Sequence, residues 1–225
     1  MSDTRTFSRS QTPTKQRSDT VVLPQWILDA IRPAVRSLSR VLWDLRFEGR
    51  ENIPAEGGLI IASNHQAYLD PFLISISIKR PIRYLAWNVA LKWPLVGRLM
   101  RVLGAWPLQL EGSDPAAIRR SLQWLRNGGA VMIFPEGGRG RPDGTMVRFK
   151  AGAVRMALEA GVPILPVTIR GANRVWPTGR WLPRRGKVQI VYHQVMQVEQ
   201  RAGEEVRACA RRETARLAEI IGSAL

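Results

Sequence analysis

The chain has 225 residues, 45% of them hydrophobic, which is enough for one domain with a substantial core and excludes wholesale disorder. Lys and Arg number 34 against 18 Asp and Glu, and the resulting net charge of +16 implies an anionic partner: nucleic acid, an anionic membrane or a phosphorylated substrate. A lone Cys209 excludes an intrachain disulfide and a cysteine zinc cluster, and two histidines leave little for a metal site, so no metal is expected. Eight Trp against three Tyr suit a membrane interface. No apolar run reaches the ~18–20 residues of a membrane span. No hydrophobic segment followed by a small-residue cleavage site opens the chain, so no signal peptide is expected. The expected location is the cytoplasmic face of a membrane, peripheral or monotopic.

Residues 1–20 are rich in Ser, Thr, Arg and Gln and read as a disordered tail. Residues 21–46 form a second segment, and 47–225 the main domain. From Leu23 the apolar residues Trp26, Ile27, Ala30, Ile31, Ala34, Leu38, Val41, Leu42 and Leu45 keep helical spacing, with Arg32, Arg36 and Arg40 on the opposite side. Pro33 is expected to kink or restart this helix. The stripe fits either a helix packed on the core or one lying in a membrane interface. Beyond Gly49, short apolar runs predict strands at 59–63, 82–86, 104–108, 130–134, 164–169 and 188–195. Helices are expected at 71–78, with Asp70 as cap, and at 94–102, 114–126, 149–160 and 204–221, the last with Val206, Ala210, Leu217 and Ile221 on one face. The alternation predicts an α/β fold: a mixed, partly parallel sheet flanked by helices. Acids are absent between Asp70 and Glu111 and between Glu159 and Glu199, where Arg and Lys mix with Trp93, Trp106, Trp176 and Trp181. That mixture suits an anionic bilayer or a groove for single-stranded nucleic acid.

Three stretches carry chemistry. In Asn64-His65-Gln66-Ala67-Tyr68-Leu69-Asp70 the histidine follows a strand and the aspartate opens a helix. The loop between them can fold back so that the carboxylate meets one imidazole nitrogen, a general-base dyad that would activate a substrate hydroxyl. In Phe134-Pro135-Glu136-Gly137-Gly138-Arg139, glycines permit close backbone approach, and Arg139 offers a planar fork suited to phosphate. Glu136 could orient that Arg or bind a substrate hydroxyl. In Phe149-Lys150-Ala151-Gly152 a lysine stands beside a helix start, a good place for an anion.

In this order, and followed by Val162-Pro163-Ile164-Leu165-Pro166-Val167, these blocks resemble the glycerolipid acyltransferase family, which includes 1-acyl-glycerol-3-phosphate acyltransferases. The resemblance implies transfer of a fatty acyl group from an acyl-CoA or acyl carrier protein thioester to a lysophospholipid hydroxyl at an anionic membrane surface. No cofactor beyond the thioester co-substrate is implied, and no nucleic acid. Carried over by position, His65 and Asp70 are catalytic, and Asn64, Glu136, Gly137, Arg139 and Lys150 bind substrate. The favoured acceptor is 1-acyl-glycerol-3-phosphate, giving phosphatidic acid. Another lysolipid, a lyso-aminolipid or glycerol-3-phosphate is the alternative acceptor, and a basic nucleic-acid-binding domain the remote alternative. Two positions depart from the family pattern: Gly138 stands where Thr is usual, and Leu110 where an Arg is expected.

Overall fold

The computed structural model describes residues 22–87, 94–108, 114–177 and 182–225. The expected tail over 1–20 and Lys92, Trp93, Leu110, Glu111, Arg180 and Trp181 lie outside those segments. The described chain alternates helix and strand: α1 (Gln25–Trp43), β1 (Arg46–Glu48), β2 (Leu59–Ser63), α2 (Asp70–Ser75), β3 (Ile82–Trp87), α3 (Pro94–Val102), β4 (Ala105–Leu108), α4 (Pro115–Arg126), β5 (Ala130–Ile133), α5 (Gly152–Ala160), β6 (Ile164–Arg170), α6 (Ala172–Val175), β7 (Gln189–Tyr192) and α7 (Val206–Gly222).

The strands form one sheet in the order β1-β7-β6-β2-β5-β3-β4. From β6 to β4 every pairing is parallel, β7 joins β6 antiparallel, and β1 pairs parallel with β7. This is the mixed α/β sheet that the alternation predicts. All five residues of β2 are buried, as a central parallel strand with both faces covered requires. On one face Ile60, Val131 and Ile164 pack with Leu122 and Leu125 of α4, Val154 of α5 and Leu217 and Ile221 of α7. On the other, Ile61, Met132 and Leu165 pack with Leu73 and Ile74 of α2 and Val175 of α6, and Trp43 at the end of α1 closes on the same cluster.

α1 runs unbroken through Pro33, so the expected restart does not occur. Its C-cap, Asp44, has φ +36°, a left-handed conformation that a short polar side chain tolerates, and this turns the chain into β1. The apolar stripe of α1 faces outward. Trp26 is 70% exposed, Leu38 59% and Val41 75%, with Ile31 and Val35 also exposed. Arg32 and Arg36 turn inward: Arg32 pairs with Asp29, and the Arg36 guanidinium stacks over Phe47 at 5.8 Å. The helix is therefore amphipathic in the inverse sense to a core helix, with Ser39 buried and Trp43 against the core.

Sequence-based boundaries shift in a few places. The strand expected over 188–195 is only Gln189–Tyr192, and the helix expected from Phe149 starts at Gly152. Val206, expected on the buried face of α7, is exposed, while Cys209 is fully buried as a core residue. β1, the 3-10 turn Arg50–Asn52 and α6 carry too few residues to show a period.

Candidate active site

β2 and β5 are adjacent and parallel, with Ala62 opposite Ile133, so the loops leaving their carboxyl ends meet at one edge of the sheet. From β5 the chain crosses β2 to enter the sheet again as β6, so these loops diverge at a switch in strand order, where α/β sheets form crevices.

The loop after β2 folds back on itself. Asp70, fully buried, accepts from His65 Nδ1 at 2.9 Å and, through the same Oδ2, from the backbone N–H groups of Gln66 at 2.5 Å and Ala67 at 2.8 Å. The expected forward cap is not what Asp70 does: it occupies the first turn of α2, and its carboxylate reaches backward to order the loop. A carboxylate on Nδ1 fixes the tautomer that leaves Nε2 as the basic nitrogen. The imidazole stacks on Phe134 with ring centroids 4.1 Å apart, and its side chain keeps 18% exposure.

The loop after β5 grips the His65 backbone from both sides. Glu136 Oε1 accepts from His65 N–H at 2.8 Å, Glu136 Oε2 accepts from Val147 N–H at 2.8 Å, and Gly140 N–H donates to His65 C=O at 2.6 Å. Glu136 is only 6% exposed, and burial pushes its carboxyl above the ordinary 4.5, against the two N–H groups that favour the ionised form. Both oxygens accept from backbone N–H groups, so Glu136 braces the loop that presents His65. Asn64 also serves the backbone. It is 1% exposed and its amide both donates to and accepts from the backbone of Ile169, at 2.8 and 2.9 Å. It ties the end of β2 to β6.

The remaining expected residues line the outer side of this loop. Gly137 has φ +73°, and a Cβ there would lie 2.6 Å from Lys150 Nζ, so the ammonium lies across the glycine. Lys150 N–H donates to Pro135 C=O at 2.8 Å, which returns the chain to the loop two residues before α5. Arg139 stacks its guanidinium 4.0 Å above the Tyr68 ring, and Tyr68 meets Trp176 edge-on at 6.1 Å. At Gly138 an added Cβ would meet nothing within 4 Å, so packing does not force the departure from Thr. At Gly140 a Cβ would approach Thr145 C=O at 3.0 Å and Glu136 Oε2 at 3.1 Å, so a side chain there would press on the brace.

Sequence reading missed Gln66. Its amide donates to Gly144 C=O and accepts from Ala172 N–H, both at 3.2 Å, joining the dyad loop to the 141–144 turn and to α6. A lone Gln in a loop gives no signal of such a long-range tie. A cleft of about 440 Å³ between α4 and α5, lined by Arg119, Arg126 and Glu159, is not part of this constellation.

The chain is 30% identical over 157 residues to the chloroplastic 1-acyl-sn-glycerol-3-phosphate acyltransferase of Arabidopsis thaliana, covering 67% of this chain and 43% of that protein. It is 33% identical over 180 residues to the 1-acyl-sn-glycerol-3-phosphate acyltransferase of Pseudomonas aeruginosa, covering 77% of this chain and 66% of that one. The chain thus spans less than two thirds of the length of these relatives. The crystal structure of the 1-acyl-sn-glycerophosphate acyltransferase of Thermotoga maritima superposes with a TM-score of 0.70 at 27% identity, over 89% of this chain and 79% of that one. Residues 44–170, which run from the end of α1 through both loops of the dyad to the end of β6, match the model of the acyltransferase family, and the chain belongs to that family.

Proposed function

We propose that the chain is an O-acyltransferase that moves a fatty acyl group from an acyl-CoA or acyl carrier protein thioester to the free hydroxyl of 1-acyl-glycerol-3-phosphate, forming phosphatidic acid. The observation that carries this reading is the His65–Asp70 pair, with Nδ1 held at 2.9 Å and both faces of the His65 peptide fixed by the second loop. His65 Nε2 takes the hydroxyl proton as the acceptor oxygen attacks the thioester carbonyl, and buried Asp70 stabilises the imidazolium. The tetrahedral intermediate collapses, the C–S bond breaks, and the proton passes from His65 to the leaving thiolate. Arg139 and Lys150, on the outer side of the same loop, are the cations assigned to the acceptor phosphate.

Both substrates carry acyl chains, so access from a bilayer is needed, and α1 supports it. Its exposed Trp26, Ile31, Val35, Leu38 and Val41 form one stripe, and no helix among the described residues is long and apolar enough to cross a membrane. α1 therefore lies in the interface with its stripe in the lipid, on the cytoplasmic face.

The test is incubation of wild type and His65→Ala with labelled acyl-CoA or acyl carrier protein and a panel of lysolipids. Transfer to 1-acyl-glycerol-3-phosphate by wild type, abolished in a folded His65→Ala, is the expected result. Turnover by folded His65→Ala at the wild-type rate would remove the mechanism. Transfer only to acceptors lacking the phosphate would reassign the acceptor.

A further inference from the structure

Away from the dyad, two arginines share an aromatic nest. Arg83 of β3 lies with its guanidinium carbon 4.8 Å from the Trp124 ring and 5.3 Å from Trp106, and Arg120 of α4 lies 4.5 Å from the same Trp106. The two indoles meet edge-on at 6.1 Å, and Trp124 is anchored by its Nε1–H to Ala130 C=O at 3.0 Å. Neither guanidinium takes part in an ion pair among the described residues. The Nε atoms of both are shielded from solvent and have no hydrogen-bond partner. Desolvation lowers both groups below the usual arginine range. Arg120 adds to the lowering at Arg83, while Asp114, the cap of α4, partly offsets it at Arg120. Two like charges held together and half-buried repel one another, and an anion that joins them is favoured there. Stacked, doubly cationic and flanked by flat rings, the nest has the chemistry of a site for phosphate groups next to a planar base.

Its position selects the source of the phosphate. Arg83, Leu85 and Trp106 face α4, whereas Tyr84, one residue on, faces the other side of the sheet, where it meets Ser75 of α2. The exposed stripe of α1 is on that second side. The nest thus opens away from the surface proposed for the membrane, towards water. Arg83 is level with Val131 and, through it, with Ile60, five residues before His65. The separation from the dyad is on the order of 15 Å along the strands and about 10 Å across two of them. A soluble thioester donor has its phosphates at the far end of a long arm, and a nest at this remove from the base suits that end.

We propose that Arg83, Arg120, Trp106 and Trp124 bind the nucleotide phosphates of the acyl-CoA donor. This rests on the acyltransferase reading, and direct binding without turnover separates the two. Calorimetric titration of the full chain with coenzyme A, and separately with inorganic pyrophosphate, is done without lipid on wild type, Arg83→Met and Arg120→Met. Expected are salt-sensitive binding by wild type, at least tenfold weaker binding of both probes in each variant, and a matching rise in donor KM with acceptor KM unchanged. Should Arg83→Met fail to fold, Arg120→Met, on an outer helix, decides alone. Affinities for coenzyme A within twofold of wild type, with only a shift in melting temperature, would make the nest a structural stack and overturn the proposal. Loss of binding to phosphatidic acid vesicles with coenzyme A binding intact would overturn it too, in favour of a lipid head group. A failure of transfer with coenzyme A binding retained would count against the acyltransferase reading and leave the nest in place.

Discussion

Asp70 serves two purposes, and two substitutions separate them. Its Oδ2 takes three donors: the His65 imidazole and the N–H groups of Gln66 and Ala67. Asp70→Ala removes all three contacts at a fully buried position. Leaving two backbone N–H groups without an acceptor costs about 1–3 kcal/mol each, so a stability loss of about 2–6 kcal/mol is expected. Asp70→Asn keeps a carbonyl oxygen for the N–H groups and is expected to lose only about 1 kcal/mol, the charge-assisted share of those bonds. Catalysis should suffer alike in both, because neither residue stabilises an imidazolium: a fall of about 10²–10⁴ in kcat, equivalent to about 3–5 kcal/mol of barrier. Urea unfolding followed by far-UV circular dichroism gives the first quantity, and initial rates of labelled acyl transfer the second. An Asp70→Ala protein as stable as wild type would refute the loop-ordering role. An Asp70→Asn protein within tenfold of wild-type turnover would refute the dyad.

Glu136→Gln leaves one acceptor for two N–H donors and sets its own NH₂ against the second, so a loss of about 1–3 kcal/mol is expected. The raised carboxyl adds a pH signature. The folded chain holds the Glu136 proton more tightly than the unfolded chain, so this group contributes most at acid pH, and its contribution falls as pH rises from about 4.5 through the folded value. The stability gap between wild type and Glu136→Gln should therefore narrow with rising pH in urea titrations, and a widening gap would show that the fold holds the carboxylate. On α1, Leu38→Glu with Val41→Glu should leave folding stability within about 0.5 kcal/mol, since both side chains are exposed. The same pair should weaken vesicle flotation at least tenfold, because each apolar side chain is worth about 1.5–3 kcal/mol when fully taken from water. Unchanged flotation would remove α1 as the docking element.

The parallel core was legible because each strand is a short, continuous apolar run between turn residues, and the dyad because His65 and Asp70 bracket a four-residue loop between a strand and a helix. What stayed hidden depends on long-range partners. The resemblance implies substrate binding for Asn64 and Glu136, and nothing local in the sequence shows which backbone groups they hold. The register of β2 with β6 and the closure of two distant loops set those partners. Arg80 reads as one more surface cation in an acid-free stretch. In the fold it is 8% exposed and donates to the carbonyls of Pro54, Glu56, Gly57 and Gly128, joining three turns at the amino edge of the sheet. Charge counting cannot tell such a group from a solvated one. The periodicity of α1 was plain, but a hydrophobic stripe says nothing of which way it points.

That direction bears most on how the proposed acyltransferase would meet two unlike substrates. A helix that packs Arg32 and Arg36 inward and leaves Trp26, Ile31, Val35, Leu38 and Val41 outside is unfavourable in water, where about three side chains' worth of apolar surface stays wet. Its orientation is set by the ends: Leu23 N–H bonds Val102 C=O at 2.9 Å, and Trp43 C=O accepts from Val188 N–H at 3.0 Å, so the helix spans the face between α3 and the start of β7. With both ends tied, rolling the stripe onto the core would need Arg32 and Arg36 to give up Asp29 and Phe47 and face solvent on the far side. A bilayer removes the penalty without that rearrangement. On the proposed reading the sheet stands between lipid on the α1 side and water on the α4 side, with the dyad at its carboxyl edge. On the proposed reading, the insoluble acceptor reaches His65 from one face and the soluble donor from the other.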